Sequence, residues 1–487
     1  MKLKYTTAFS LVCLICLTNL NFIQAQDNLT IDQLKADFSL FKQALKEAHP
    51  GLYRYNSKDQ IDSLFNQTEN LIDHEMNQQE FYKLLLPVVC QIKCGHTKFH
   101  PDSNWTTNFY YNTEKVFPLR MFFQGKKAYV LGNYGNENSI PDGSEVLEIN
   151  GHAIPAIIEK MLNSFCSDGN NTTFKYIEMS HYFSAYYANL FEGPDNFVVK
   201  YKNDQNVAEI TVPSISYEKI ELYEKQQDER LINQSPLKLD FQTNETALLT
   251  ISSFWDGTNR NYEQFLENSF ETIKQQKVKN LIIDLRNNEG GMDRRGALLL
   301  SYLMDREFKY YDRLEVTTRK KYSFAKQAHL PRFYGLTRHL ISKEKDGSYC
   351  WNHNKNLKIQ KPQKNHFSGN VYILINGASF SVTAEFAAVT HFLKRATFIG
   401  EETGGAYYGN NSGTFVIVTL PNSKLNVGIP MIAYFTAVSG NPVKDHGVMP
   451  DYKVVPTVKN IISGEDPVLE SSMKLIENGN RQQTTTH

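Results

Sequence analysis

Apolar positions across residues 30–93 recur at helical spacing. Leu34, Phe38, Phe41 and Leu45 share one face of a first helix, and Thr30 stands where a cap belongs. Ser57-Lys58-Asp59-Gln60 forms a capping box ahead of Ile61, Leu64, Phe65, Leu71 and Ile72. Asn77-Gln78-Gln79-Glu80 opens a third helix through Leu84, Leu85 and Val88, and His49-Pro50-Gly51 breaks the chain after the first. These signals predict a small helical domain over 27–112.

Beyond residue 115 the period shortens to that of strands. Segments 117–123, 127–131, 146–149, 197–201 and 208–212 predict strands, with a tight turn at Asn150-Gly151 and a helix over 154–162. This order, and the stretch Gly143-Ser144 to Asn150-Gly151 above all, resembles a PDZ domain, here 115–213, which would add a peptide strand to its sheet edge. Residues 216–240 are rich in Gln, Glu and Lys and predict a linker. Strand and helix then alternate: strands at 248–252, 281–285 and 371–375, helices at 262–275, after Gly291 and over 386–393. Residues 319–364 predict a surface insertion. The expected class is α+β and multidomain, with a core over 241–470 and a tail over 471–487.

The first 25 residues stand apart. Lys2 and Lys4 precede an apolar run over 8–17, too short to span a bilayer, and Ala25 supplies a small residue for cleavage. This predicts a signal peptide at 1–25 and an exported protein, periplasmic or extracellular, with no membrane span. The 487 residues are 41% hydrophobic and 21% charged, enough for a large core. A formal net charge of zero removes the electrostatic case for nucleic acid as a partner. Cys90, Cys94, Cys166 and Cys350 remain after the leader. Cys90, Cys94 and His96 lack a second ligand cluster of matching spacing, so buried thiols or one disulfide are expected rather than a metal. No phosphate loop and no His-Glu-x-x-His stretch occurs, so no cofactor is expected.

Chemistry concentrates in five short segments. Gly377-Ala378-Ser379-Phe380-Ser381-Val382-Thr383-Ala384-Glu385 joins a predicted strand to a predicted helix. A serine there either caps the helix or exposes a nucleophilic hydroxyl beside free helix N–H groups. Asp284-Leu285-Arg286-Asn287-Asn288-Glu289-Gly290-Gly291 runs from a strand end into paired glycines. The others are Gly95-His96-Thr97, Gly400-Glu401-Glu402-Thr403-Gly404-Gly405 and Gly447-Val448-Met449-Pro450-Asp451.

In this order the five resemble the tail-specific, C-terminal-processing serine peptidases, including their tricorn-like and retinoid-binding-protein-like branches. The resemblance implies a crotonase/ClpP-like spiral of βα units and a peptide or protein substrate. One branch uses a lysine just after Gly-Glu-x-Thr-x-Gly, where this chain has Ala406, so the Ser–Lys route is closed. The tricorn-like branch implies Ser381 as nucleophile, His96 as base, and N–H groups of Gly290, Gly291 and Val382 as the oxyanion hole. Three positions depart from the family pattern: Cys94 for an aspartate, Glu289 for a glycine, and Lys444-Asp445-His446 where that branch has a glutamate. Asp445 is the expected acid for His96. The implied activity is endopeptidase action on unstructured polypeptides. A catalytically silent homologue that binds peptide or another extracellular ligand, and an esterase or amidase on the same scaffold, are the alternatives.

Overall fold

The computed structural model describes residues 28–101, 114–135, 140–232, 235–255, 261–441 and 443–484. The expected signal peptide lies outside these residues. Three helices open the chain: α1 (Ile31–Ala48), α2 (Lys58–Asn70) and α3 (Gln78–Gln91). Each starts at a capping box, on Thr30, Ser57 and Asn77. The chain turns at Lys93, whose φ is 61°, and enters β1 (Lys98–His100).

A second group follows: β2 (Leu119–Gln124), β3 (Lys127–Asn133), β4 (Glu145–Ile149), β5 (His152–Ala153), α4 (Ile154–Leu162), α5 (Thr173–Leu190), β6 (Asn196–Asn203) and β7 (Asn206–Pro213). Its sheet runs β2-β3-β4-β6-β7, with β5 paired to β4. Helix α5 has no counterpart in the predicted elements: Met179, Phe183, Tyr187 and Leu190 share one face, but Ser184, Ala185, Ala188 and Asn189 are buried as well, so burial spreads around the helix and blurs the stripe. The 216–240 segment is not a bare linker. It carries α6 (Tyr217–Ile232) and enters β8 (Leu237–Thr243), and Ile220 is buried with Val116, Ala188 and Ile215. Tyr217 packs on the same cluster and Tyr223 meets Tyr134 and Arg120, so a few positions scattered in a polar run dock the helix.

The remaining elements are β9 (Thr246–Ile251), α7 (Tyr262–Gln275), β10 (Asn280–Asp284), α8 (Asp293–Ser301), β11 (Tyr311–Val316), β12 (Ala328–His329), α9 (Tyr334–Thr337), β13 (Ser342–Lys343) and β14 (Tyr349–Cys350). Then come β15 (Asn370–Ile375), α10 (Val382–Phe392), β16 (Thr397–Gly400), β17 (Asn411–Thr419), β18 (Asn426–Thr436), β19 (Tyr452–Lys453), α11 (Val458–Ser463) and α12 (Pro467–Thr484). One sheet runs β19-β16-β15-β10-β9-β8, parallel throughout except for the β8–β9 pair. Its strands bury both faces, which is why 281–283 and 371–375 read as unbroken apolar runs. Leu281, Ile283, Ile373 and Ile375 face α7, α8 and α10, whereas Ile282 and Leu374 face Val468 and Ile476 of α12. The expected 471–487 tail is therefore mostly helix, and its apolar stripe closes the second face of the sheet.

The other core sheet runs β12-β17-β18-β11-β14-β13, and β1 pairs antiparallel to β18. Residues 319–364 are thus not a mere surface insertion. They contribute β12–β14, and Tyr322, Phe324 and Tyr334 are buried against the N-terminal helices. One apolar cluster runs from Phe38 and Phe41 through Phe99, Phe117 and Phe183 to Val427 and Ile429. The helical region, the middle sheet and β17–β18 share a core.

Candidate active site

Strand β15 ends at Ile375, and the chain needs six residues to reach α10. The two serines in that turn have different surroundings. Ser379 is fully buried. Its Oγ donates to Leu285 O at 2.9 Å and accepts from Asn376 N–H at 3.1 Å, so it pins the turn to the end of β10. Ser381 sits at the N-cap position with φ 53° and ψ −124°, and its side chain makes no capping bond. A non-glycine residue in this region costs about 1–3 kcal/mol. The strain turns the hydroxyl out of the helix start, as a nucleophile elbow does.

His96 lies between α3 and β1. Its Nε2 is 3.1 Å from Ser381 Oγ, across 285 residues of sequence. Pairing of Lys98, Phe99 and His100 with Gly428, Val427 and Asn426 carries it there. The imidazole stacks on Phe380 at 4.6 Å, and Phe380 stacks on Phe174 of α5 at 4.5 Å. Thr97 is held from behind by His49: Gly51 N–H donates to His49 Nδ1 at 3.1 Å, so Nε2 carries the proton and donates to Thr97 Oγ1 at 2.9 Å. Burial, with Lys98 adding to it, pushes the His96 pKa down to about 3. The ring is neutral at physiological pH and able to accept a proton.

The expected acid is not at the ring. Nδ1 of His96 is buried and has no hydrogen-bond partner among the described residues. Asp445, with φ 58°, offers its backbone carbonyl to Asn170 N–H at 2.8 Å. The structure does not bring its carboxylate to His96. A different carboxylate braces the histidine segment. Asp168 Oδ1 accepts from Gly95 N–H at 2.8 Å, and its Oδ2 is buried without a partner among the described residues. Burial pushes the Asp168 pKa up to about 6. Gly169 N–H donates to Lys93 O at 3.0 Å, and Lys93 Nζ donates to Asn170 Oδ1 at 2.8 Å. The 166–171 loop thus grips the 93–96 turn at three points. Beside it, Glu178 of α5 is pushed up to about 7 by burial, against the pull of Lys98.

The paired glycines pack against the elbow. A Cβ on Gly290 would lie 2.7 Å from Ser381 Cβ and 2.9 Å from Val382 N, so only glycine fits there. The Gly290 N–H is already donated to Asn288 Oδ1 at 3.0 Å, which differs from the role expected for it. Val382 is the first residue of α10, so its N–H has no carbonyl within the helix to bond. Gly291, at φ 139°, abuts Phe254 so closely that a Cβ would reach 2.3 Å from its carbonyl carbon. One turn along α10, buried Glu385 accepts from Tyr311 Oη and from Asn410 Nδ2 at 2.7 Å, and burial pushes its pKa up to about 7.

The last two motifs hold each other. Glu402 Oε1 accepts from Gly447 N–H at 2.9 Å and lies 3.0 Å from His446 Nδ1, while Thr403 Oγ1 accepts from Val448 N–H at 2.9 Å. Asp451 Oδ2 accepts from Phe398 N–H at 2.7 Å, tying the turn to the start of β16. Residues 245–454 match the model of Peptidase family S41. These residues belong to peptidase family S41. The S41 core is that of a serine-type peptidase, a hydrolase by class. Its matched span contains Ser381, Gly290, Gly291, Val382 and Asp445 but not His96 or Asp168, which reach the site only through the fold.

Two solved structures share the fold. Mature CPAF complexed with lactacystin aligns at a TM-score of 0.62 and 14% identity, over 89% of this chain and 95% of that one. Mature CPAF alone aligns at 0.59 and 13% identity, over 89% and 94%. A putative peptidase from Parabacteroides merdae aligns at 0.46 and 16% identity, over 92% and 97%. Among the described residues no helix is long and apolar enough to cross a membrane, and no cluster of three metal-ligating side chains occurs.

Proposed function

We propose that this S41 protein is an exported serine endopeptidase, periplasmic or extracellular, that cleaves unstructured polypeptides through Ser381 and His96. The observation that carries the reading is the 3.1 Å approach of a neutral imidazole to a serine on a strained strand-to-helix turn. His96 Nε2 takes the Oγ proton as Oγ attacks the substrate carbonyl carbon. The new oxyanion is held by the N–H groups of Val382 and Gly291, with Gly290 shaping the wall. On collapse His96 returns the proton to the leaving amine. Water then repeats the cycle on the acyl-enzyme. The middle sheet serves as a PDZ-like module, and the alternating strands and helices around β9, β10, β15 and β16 as a crotonase/ClpP-like spiral.

One observation favours a weaker enzyme or a silent binding homologue. To accept from Ser381, His96 must carry its proton on Nδ1, which has no acceptor among the described residues. A buried N–H left unmade costs about 1–3 kcal/mol. A fluorophosphonate probe distinguishes the readings. Labelling of the wild type at Ser381, lost in Ser381→Ala and strongly slowed in His96→Ala, supports the endopeptidase. An unlabelled wild type that still binds peptide makes the chain a silent homologue, and turnover of esters with none of peptides makes it an esterase.

A further inference from the structure

The four cysteines of the described chain have unequal surroundings. Cys94 is fully buried and its thiol donates to Asn411 O at 3.8 Å. Cys350 lies in β14. Cys90 and Cys166 face one another, with Sγ atoms 2.8 Å apart across 76 residues of sequence. Less than 1 Å of travel separates that contact from a bond of about 2.05 Å.

Their places in the fold matter as much as the distance. Cys90 lies in the last turn of α3, five residues before Gly95. Cys166 begins the loop whose Asp168 accepts the Gly95 N–H. A bond between them would close a short ring around the turn that carries His96. Cys166 keeps part of its surface open to solvent, whereas Cys90 is buried. The contact with Cys90, aided by Lys98 and Lys175, favours the thiolate at Cys166, while burial holds Cys90 as a thiol.

We propose that Cys90 and Cys166 form a disulfide that clamps the His96 turn to the 166–171 loop. Cys166 attacks first. Its thiolate displaces one thiolate from a small-molecule or protein disulfide and forms a mixed disulfide. Cys90 then gives up its proton, attacks the Cys166 sulfur and expels the second thiolate. Two protein thiols are oxidised and one exogenous disulfide is reduced to two thiolates, which take up the two protons that Cys90 and Cys166 give up. The chemistry is independent of compartment. Its occurrence in the cell rests on the export proposed above, which supplies an oxidising environment.

The test is a cysteine map of the purified protein equilibrated with glutathione disulfide, denatured and alkylated without reductant. Cys94 and Cys350 should be alkylated, with the Cys90 and Cys166 peptides recovered as one linked pair. Alkylation of Cys90 and Cys166, or a linked pair that includes Cys94, overturns the proposal. Hydrogen exchange reads the clamp without reference to activity. The Gly95 amide should exchange at least severalfold more slowly in the oxidised protein than after dithiothreitol. Cys166→Ser should stay at the reduced rate in both conditions, and Cys350→Ser should follow the wild type. Equal Gly95 exchange in oxidised and reduced wild type overturns the clamp. Fractionation tests export separately, so an unexported protein that still forms this pair in buffer supports the pairing alone.

Discussion

Two serines, two residues apart in the same turn, divide the work of the elbow. Ser379→Ala should cost about 1–3 kcal/mol in denaturant unfolding, because Leu285 O and Asn376 N–H lose a buried partner. Ser381→Ala should leave unfolding nearly unchanged and abolish turnover. Stability losses in the reverse order would exchange the two roles. His96→Ala should lower kcat/KM by several orders of magnitude, as removal of a general base does. With the His96 pKa near 3, the acid limb of kcat/KM should fall below pH 5 rather than near 6.5. Lys98→Gln should move that limb upward, and a wild-type limb near 6.5 would show the ring to be less shielded than its packing indicates. Ser381 and His96 could be singled out in the sequence because each lies in a short, distinctive segment. Asp168 could not. Its partner is a backbone N–H, and backbone donors leave no trace in residue identity.

Helix α5 and the loop before it do most of the joining between segments. Asn171 Nδ2 donates to Thr403 O at 2.9 Å, its Oδ1 accepts from Phe174 N–H at 2.9 Å, and Thr173 Oγ1 donates to Glu402 O at 3.0 Å. The same stretch therefore touches the histidine turn and the Gly-Glu-x-Thr-x-Gly segment. Asn171→Ala should destabilise by about 1–3 kcal/mol and slow the labelling of Ser381, with labelling by a small probe as the readout. A loss of stability with labelling unchanged would reduce the loop to scaffolding. Helices α1, α2 and α3 were legible because each has a capping box and one apolar stripe. Helix α5 was not, since burial on several sides erases the period that sequence reading depends on. Helix α6 was masked by its charged surface.

At the scale of the molecule, the predicted boundaries mark changes of pattern rather than gaps in packing. If the 115–213 module only gated access, its removal would spare small esters and penalise long peptides. Because Asp168 and Phe174 lie inside that span and brace His96, the deletion should now depress both substrates alike. Selective loss on peptides would restore a purely gating role. Buried titratable groups give the fold a divided response to pH. His49 and His96, both lowered to about 3, contribute stability that grows as pH rises from about 3 to 6.5. Asp168, raised to about 6, and Glu385, raised to about 7, act oppositely: the folded state holds protons the unfolded chain has released, so stability falls as pH rises through those values. Glu385→Gln should therefore gain on the wild type in melting temperature between pH 4.5 and 7. A difference that stays flat with pH would mean that Glu385 titrates normally.

The reach of 285 residues between His96 and Ser381 has a consequence for synthesis. At about 5–20 residues per second, roughly 15–60 s separate their emergence from the ribosome. Strand β1 waits longer still, because its partner β18 is made later than Ser381. The nascent chain carries the proposed base with no nucleophile, then both with no sheet to align them. A peptidase assembled this way stays harmless to itself and to its neighbours until its last strands are in place.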